Sequence, residues 1–270
     1  MEPYLWLVPA GFLIGAYGTL IGAGGGFVLV PFLLLLYPTE NPEVITSISL
    51  AVVFFNALSG TAAYSRMGRV DYKSGVIFSA ATVPGAIVGA FTTAFIPRRT
   101  FDVLLGALMV LGAAYLIVGP PKGSRAGAVP RHALHRRVVE ADGTVHEYTY
   151  DPWLGFGISI FVGYFSSVLG IGGGIIHVPV LSTLLHFPIH VATATSHFTL
   201  AVMTLAGSLV HLFQGSLRQG VGRTVALSIG VIAGAQLGAW LSSRIHGPWI
   251  IRALAIALGL VGLRLLYIAM

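Results

Sequence analysis

The chain has 270 residues, of which 56% are hydrophobic and only 9% charged, whereas a soluble domain carries about a quarter charged residues. Such a composition leaves no room for a water-soluble catalytic domain, and the absence of cysteine removes disulfides and thiolate metal sites. The formal charge of +6 would suit nucleic acid, but Lys and Arg fall in short segments between apolar runs, the pattern of basic loops at a membrane face.

In chain order, the N-terminal Met1 to Trp6 lacks the basic stretch of a signal peptide, so the first apolar segment is expected to be kept as structure. It runs into Gly15 to Pro31, GAYGTLIGAGGGFVLVP. Apolar runs near the ~20 residues that cross a bilayer follow at Val44 to Tyr64, Gly75 to Ile96 and Phe101 to Val118. Pro120 to Pro152 is polar, and basic at first through Lys122, Arg125, Arg131, Arg136 and Arg137. Within it, two β-prone stretches flank Ala141-Asp142-Gly143, which suits a small hairpin, with a disordered connector as the alternative.

A second series then repeats the first. Gly163 to Pro179, GYFSSVLGIGGGIIHVP, shares the G-x-G-G-G core and closing proline at a shift of 148 residues. Val44, Thr46, Ser49, Gly60 and Gly68 match Val191, Thr193, Ser196, Gly207 and Gly215 at 147, and Gly85 and Gly89 match Gly234 and Gly238 at 149. Apolar runs at Val191 to Phe213, Thr224 to Leu241 and Trp249 to Ile268 complete the copy. The expected fold is an all-α polytopic membrane protein of two repeats, 1–119 and 153–270, joined by a linker over 120–152.

Each Gly-rich segment is expected to form two short helices meeting in the membrane, or a pair of full spans, before three long spans. Either count is odd, so the repeats are inverted, an arrangement that puts a transported solute at the repeat interface near the midplane. Positive-inside bias sets the linker, Arg66, Arg69 and Lys73 on the cytoplasmic face and Glu40 and Glu43 outside, although Arg98 and Arg99 run against it.

The candidate site centres on Gly24, Gly25 and Gly26 and on Gly172, Gly173 and Gly174. Consecutive glycines in an apolar helix break it, and a break at membrane depth must be buried in protein or line a cavity. The helix that restarts after each break presents unpaired N–H groups and the positive end of its dipole, which together form an anion site without a basic side chain. Close helix packing through small residues is the structural alternative. A dinucleotide loop is excluded because no βαβ context or following acidic residue is present.

Hydroxyls at Thr46, Ser49, Thr195 and Ser196 could take over part of an anion's hydration, or merely bond back to their own helices. The intramembrane ionisable or amide side chains His177, His197, Asn56 and Gln236 are functional candidates by default. His197 taking a proton as an anion passes is one route to proton coupling. His186, His190 and His211 lie nearer span ends and are expected at the interface. All nine carboxylates fall in loops or at helix ends, so a carboxylate relay, a metal site and a cofactor are not expected.

With G-x-G-G-G twice in one hydropathy frame and Ala192-Thr193-Ala194-Thr195-Ser196 after the second, the sequence resembles the TauE/SafE family of sulfite exporter-like membrane proteins over nearly its whole length. The first repeat departs from that pattern with Ile45-Thr46-Ser47-Ile48-Ser49, so the halves need not contribute equally. The resemblance implies export of sulfite or small organosulfonates such as sulfoacetate across a bacterial cytoplasmic membrane. A passive anion channel and a carboxylate transporter stand as alternatives, and proton coupling and a homodimer stay open.

Overall fold

The computed structural model describes residues 4–118, 132–244 and 247–269. Lys122, Arg125 and Arg131 of the basic linker lie outside the described residues. Among the described residues, ten α-helices and one two-stranded sheet follow in a repeated order. The first series is α1 (Leu7–Leu20), α2 (Gly26–Leu36), α3 (Pro42–Arg66), α4 (Tyr72–Thr93) and α5 (Arg98–Val118). The linker forms β1 (Leu134–Val139) and β2 (Val145–Tyr150), paired antiparallel with Val139 opposite Val145. The second series is α6 (Pro152–Leu169), α7 (Gly174–Pro179) with a π-helical extension over Val180–Leu184, α8 (Ile189–Gln214), α9 (Val221–Ser242) and α10 (Gly247–Ala269).

Local sequence accounts for where the helices begin. Asn41 accepts from the Glu43 N–H with Pro42 in the first turn, Asp71 accepts from Ser74 N–H, and Asp151 accepts from Trp153 N–H with Pro152 in the first turn. These side chains satisfy N–H groups that a helix start leaves open, and proline loses nothing there. At α6 and α8 the end is a left-handed glycine, Gly170 and Gly215.

Six described helical stretches are long and apolar enough to cross a membrane, namely α3, α4, α5, α6, α8 and α9 with its preceding turn. α1 and α2 are not: their 14 and 11 residues rise about 21 and 17 Å, against about 30 Å of hydrocarbon. The first Gly-rich segment therefore forms two short helices meeting at a break, and the alternative of two full spans does not hold there.

Contacts at the two rims set where these breaks point. On one rim the hairpin lies against the α3–α4 turn, where Ala141 N–H donates to Met67 O, and against Phe187, just before α8. Both ends of the α6–α7 segment, at Asp151 and Phe187, are on that rim. On the opposite rim Arg98 donates to the Leu34, Pro38 and Glu40 carbonyls, Arg223 pairs with Glu40, and Gly222 lies against Tyr4. Both ends of the α1–α2 segment are on this second rim. Each broken segment thus enters from its own rim and returns to it, with its glycine tip in the interior.

The two series interlock, α1 packing on α9 and α6 on α4, while α3 crosses α8 in the centre and α5 pairs with α10. Glycine permits the two outer crossings. A Cβ on Gly234 or Gly238 would meet Phe12 O or Ala16 O at 2.1 or 2.2 Å, and one on Gly85 or Gly89 would meet Ile160 O or Tyr164 O at 2.3 or 2.4 Å. Without a hydrophobic force between helices in lipid, such close backbone approach supplies the packing energy.

Candidate functional site

The two glycine tips are built alike. Gly22, Gly24 and Gly25 have φ of +80, +72 and +82°, and Gly170, Gly172 and Gly173 have +68, +81 and +75°. Residues with a Cβ avoid this left-handed region, so the G-x-G-G spacing is a conformational requirement. Gly25 and Gly173 are the N-caps of α2 and α7, and neither helix has a side-chain cap. The N–H groups of Gly26 and Phe27 at one tip, and of Gly173 and Ile175 at the other, have no backbone acceptor among the described residues.

The tips lie directly against each other. A Cβ on Gly26 would come 2.6 Å from Ile171 O, and one on Gly174 would come 2.4 Å from Gly22 O. Residues 22–26 and 170–174 are all buried, and the helices that carry them contain no Asp, Glu, Lys or Arg. Two sets of open amides therefore converge in an interior without fixed charge.

The central helices α3 and α8 close the site from both sides. Ser49 Oγ donates to Gly170 O at 2.6 Å, and the matched Ser196 Oγ donates to Gly22 O at 3.3 Å. Thr46 packs on Gly170 and Thr193 on Gly22, and both threonine hydroxyls are buried without a hydrogen-bond partner. Buried polar groups are rarely left unpaired, so these two hydroxyls and the open amides form a set of donors lacking an acceptor.

One side of this centre is more polar than the other. Asn56 Nδ2 donates to Gly24 O at 2.8 Å and its Oδ1 accepts from Thr19 Oγ1 at 3.0 Å. His197 Nε2 lies 3.3 Å from the same Thr19 oxygen, and the Tyr64 hydroxyl donates to Thr19 O at 2.7 Å. On the repeat's spacing the counterparts of Asn56 and His197 are Met203 and Leu50. Thr19 and Tyr64 carried no sequence signal beyond a hydroxyl amid apolar neighbours.

Other candidates sit elsewhere. His177 of α7 is buried against α6 and α4, its Nε2 3.2 Å from Ser159 Oγ and its ring edge-on to Phe78. Thr195 points toward the hairpin rim, where its Oγ1 accepts from Asp71 N–H. Gln236 lies on the exposed side of α9 and donates to Ser59 of α3. His211, expected at the interface, is instead fully buried, its Nδ1 3.2 Å from Ser216 Oγ, because the Ser216–Gly220 turn packs against both α8 and α3.

Each rim carries its own cluster of contacts. At the hairpin rim Phe78, Tyr148, Tyr150 and Phe187 form an aromatic cluster with ring centroids 4.3 to 6.5 Å apart. Arg136, at 2.6 Å, and the Tyr148 hydroxyl, at 2.7 Å, both bond the Asp71 carboxylate. Burial works to raise the Asp71 pKa, but the bonds from Arg136, Ser74 and Tyr148 outweigh it and hold the carboxyl below its ordinary range. Beside them Arg69 pairs with Glu140, which also meets His146. At the other rim Arg223 stacks over Tyr37 while pairing with Glu40.

A family model described as Sulfite exporter TauE/SafE matches residues 7–265. Among curated proteins, the chain is 33% identical to the probable membrane transporter protein YunE of Bacillus subtilis, over 98% of this chain and 97% of that one. It is 22% identical to the probable membrane transporter protein MJ0441 of Methanocaldococcus jannaschii, over 96% and 94%. It is 25% identical to the probable membrane transporter protein YdhB of B. subtilis, over 95% and 97%. No solved structure matches.

Proposed function

Because the chain belongs to the TauE/SafE family and is a multi-pass membrane transporter, we propose that it is a secondary carrier of small oxyanions, sulfite or organosulfonates such as sulfoacetate. In this reading it exports them by alternating access around the two glycine tips. The observation that supports it is the pair of abutting tips, whose amides and threonine hydroxyls offer donors in an interior with no fixed charge. An anion held between the tips would meet the positive ends of two helix dipoles, and glycine lets oxygens approach the amides closely.

The repeats act as inverted copies: the α1–α2 and α6–α7 segments return to opposite rims, and three long helices follow each. Such halves rock against one another about a site at their interface. In this reading the two rim clusters are the gates: the site opens to one side when the hairpin cluster parts and to the other when the Glu40–Arg223 contact parts. The anion class and carrier mechanism are tested together in proteoliposomes. Saturable sulfite or sulfoacetate flux with trans-stimulation supports them; flux that never saturates indicates a channel, and no flux above empty vesicles refutes the reading.

A further inference from the structure

We propose that His197 binds the proton that accompanies the anion, so that the carrier moves anion and proton together; this rests on the anion-carrier reading above. An anion crossing a core without fixed positive charge leaves its charge uncompensated in a low-dielectric medium, where an isolated ion is strongly disfavoured. A cation that forms only when the anion is present removes that penalty, and histidine is the side chain whose charge changes near neutral pH.

The hydrogen-bond directions around His197 show where such a proton would sit. The Asn56 amide is oriented by donating from Nδ2 to Gly24 O, so its Oδ1 must accept. Thr19 therefore spends its hydroxyl proton on Asn56, and its oxygen is left to accept from His197. This puts the hydrogen of neutral His197 on Nε2 and leaves Nδ1 bare. Nδ1 is buried without a hydrogen-bond partner in the structure. A proton arriving there turns a bare lone pair into a donor, with the backbone of Thr193, one turn back in α8, beside the ring.

His197 is tied to the first tip at two points. The Thr19–Asn56 chain ends on Gly24 O, and Thr193, one turn back from His197 in α8, packs on Gly22 of the same tip. The groups facing it from neighbouring elements are Thr19 of α1 and Gly60 and Tyr64 of α3, the tyrosine ring edge-on at 5.5 Å. Among the described residues no charged side chain bonds to it; Arg69, on the hairpin side of Tyr64, is paired with Glu140. An anion at the tips would thus be the dominant charge that His197 experiences. His177, buried against Phe78 and Ser159, has no such chain to a tip.

The test uses proteoliposomes of the full chain with sulfoacetate, ionised across about pH 6 to 8 so that its own protonation does not follow the gradient. One proton per anion would let each unit of pH gradient sustain about a tenfold anion gradient. Wild type should show this accumulation, together with proton movement recorded by an entrapped pH dye. His197→Gln, which keeps a donor toward Thr19 but cannot be protonated, should move the anion more slowly, and its accumulation ratio should fall to about one. Anion flux without proton movement in wild type overturns the proposal whether or not the variant folds. So does an undiminished response in His197→Gln, or its loss in His177→Gln alone. If wild type moves no anion at all, the carrier reading itself has failed, and the coupling falls with it.

Discussion

Ser49 Oγ of α3 donates to the carbonyl oxygen of Gly170 at the tip of the opposite repeat, 2.6 Å away and fully buried. The reciprocal bond, Ser196 to Gly22, is longer at 3.3 Å. Each central helix therefore holds the glycine tip of the other half, and the hold is unequal. Ser49→Ala leaves the Gly170 carbonyl without its partner and is expected to destabilise the protein by about 1–3 kcal/mol. Ser196→Ala should be felt less. Thermal unfolding in detergent ranks the two, and an equal or reversed order contradicts the asymmetry.

Gly174 and Gly26 touch the opposite tip through backbone alone. Gly174→Ala would set a methyl 2.4 Å from Gly22 O, and Gly26→Ala one 2.6 Å from Ile171 O. Backbone cannot yield as a flexible side chain does, so the tips must separate. Both variants should lose most anion flux, by tenfold or more on the order of the effect of a 1 Å displacement in a preorganised site. Gly157→Ala, where a Cβ meets nothing within 4 Å, is the matched control and should transport normally. Flux that survives in Gly174→Ala would show that the tip contact is not needed.

The membrane fold could be read from the sequence because lipid imposes a simple rule, about twenty apolar residues per crossing. The glycine breaks were legible for a related reason: consecutive glycines in an apolar run, repeated at 148 residues, interrupt a helix, and the structure adds that Gly22, Gly24, Gly25, Gly170, Gly172 and Gly173 do so through left-handed backbone. Gly85, Gly89, Gly234 and Gly238 were visible as matches, but not as the small faces on which α6 and α1 pack, since a partner helix leaves no mark in local sequence. Thr19 was hidden for the same reason. Its hydroxyl counts only because Asn56 and His197, 37 and 178 residues away, converge on it.

Gln236 shows the opposite failure. A polar amide in an apolar run suggested a place at the centre, yet its helical phase turns it outward, where it bridges to Ser59 on the neighbouring α3. Such interhelical bonds in membranes average about 0.6 kcal/mol. Gln236→Leu is expected to lower stability by about that much and to leave anion flux near the wild-type rate. A large loss of flux with an intact fold would return Gln236 to the site.

The hairpin's grip on the α3–α4 turn should depend on pH through Asp71. Its folded-state pKa is depressed: burial alone would raise it, but the bonds from Arg136, Ser74 and Tyr148 prevail. A depressed carboxylate adds stability that is complete above the unfolded value of about 3.9 and is lost as pH falls through the folded value. Hairpin docking should therefore be constant from neutral pH down to about 4 and weaken below it. Asp71→Asn should show the weakened state at every pH, because a neutral amide cannot hold Arg136 by charge. Amide hydrogen exchange over Leu134–Tyr150 reads this directly. Protection that is as strong in Asp71→Asn as in wild type would mean the hairpin is held by its aromatic contacts, with Tyr148 and Phe187 only 4.3 Å apart, and not by the carboxylate.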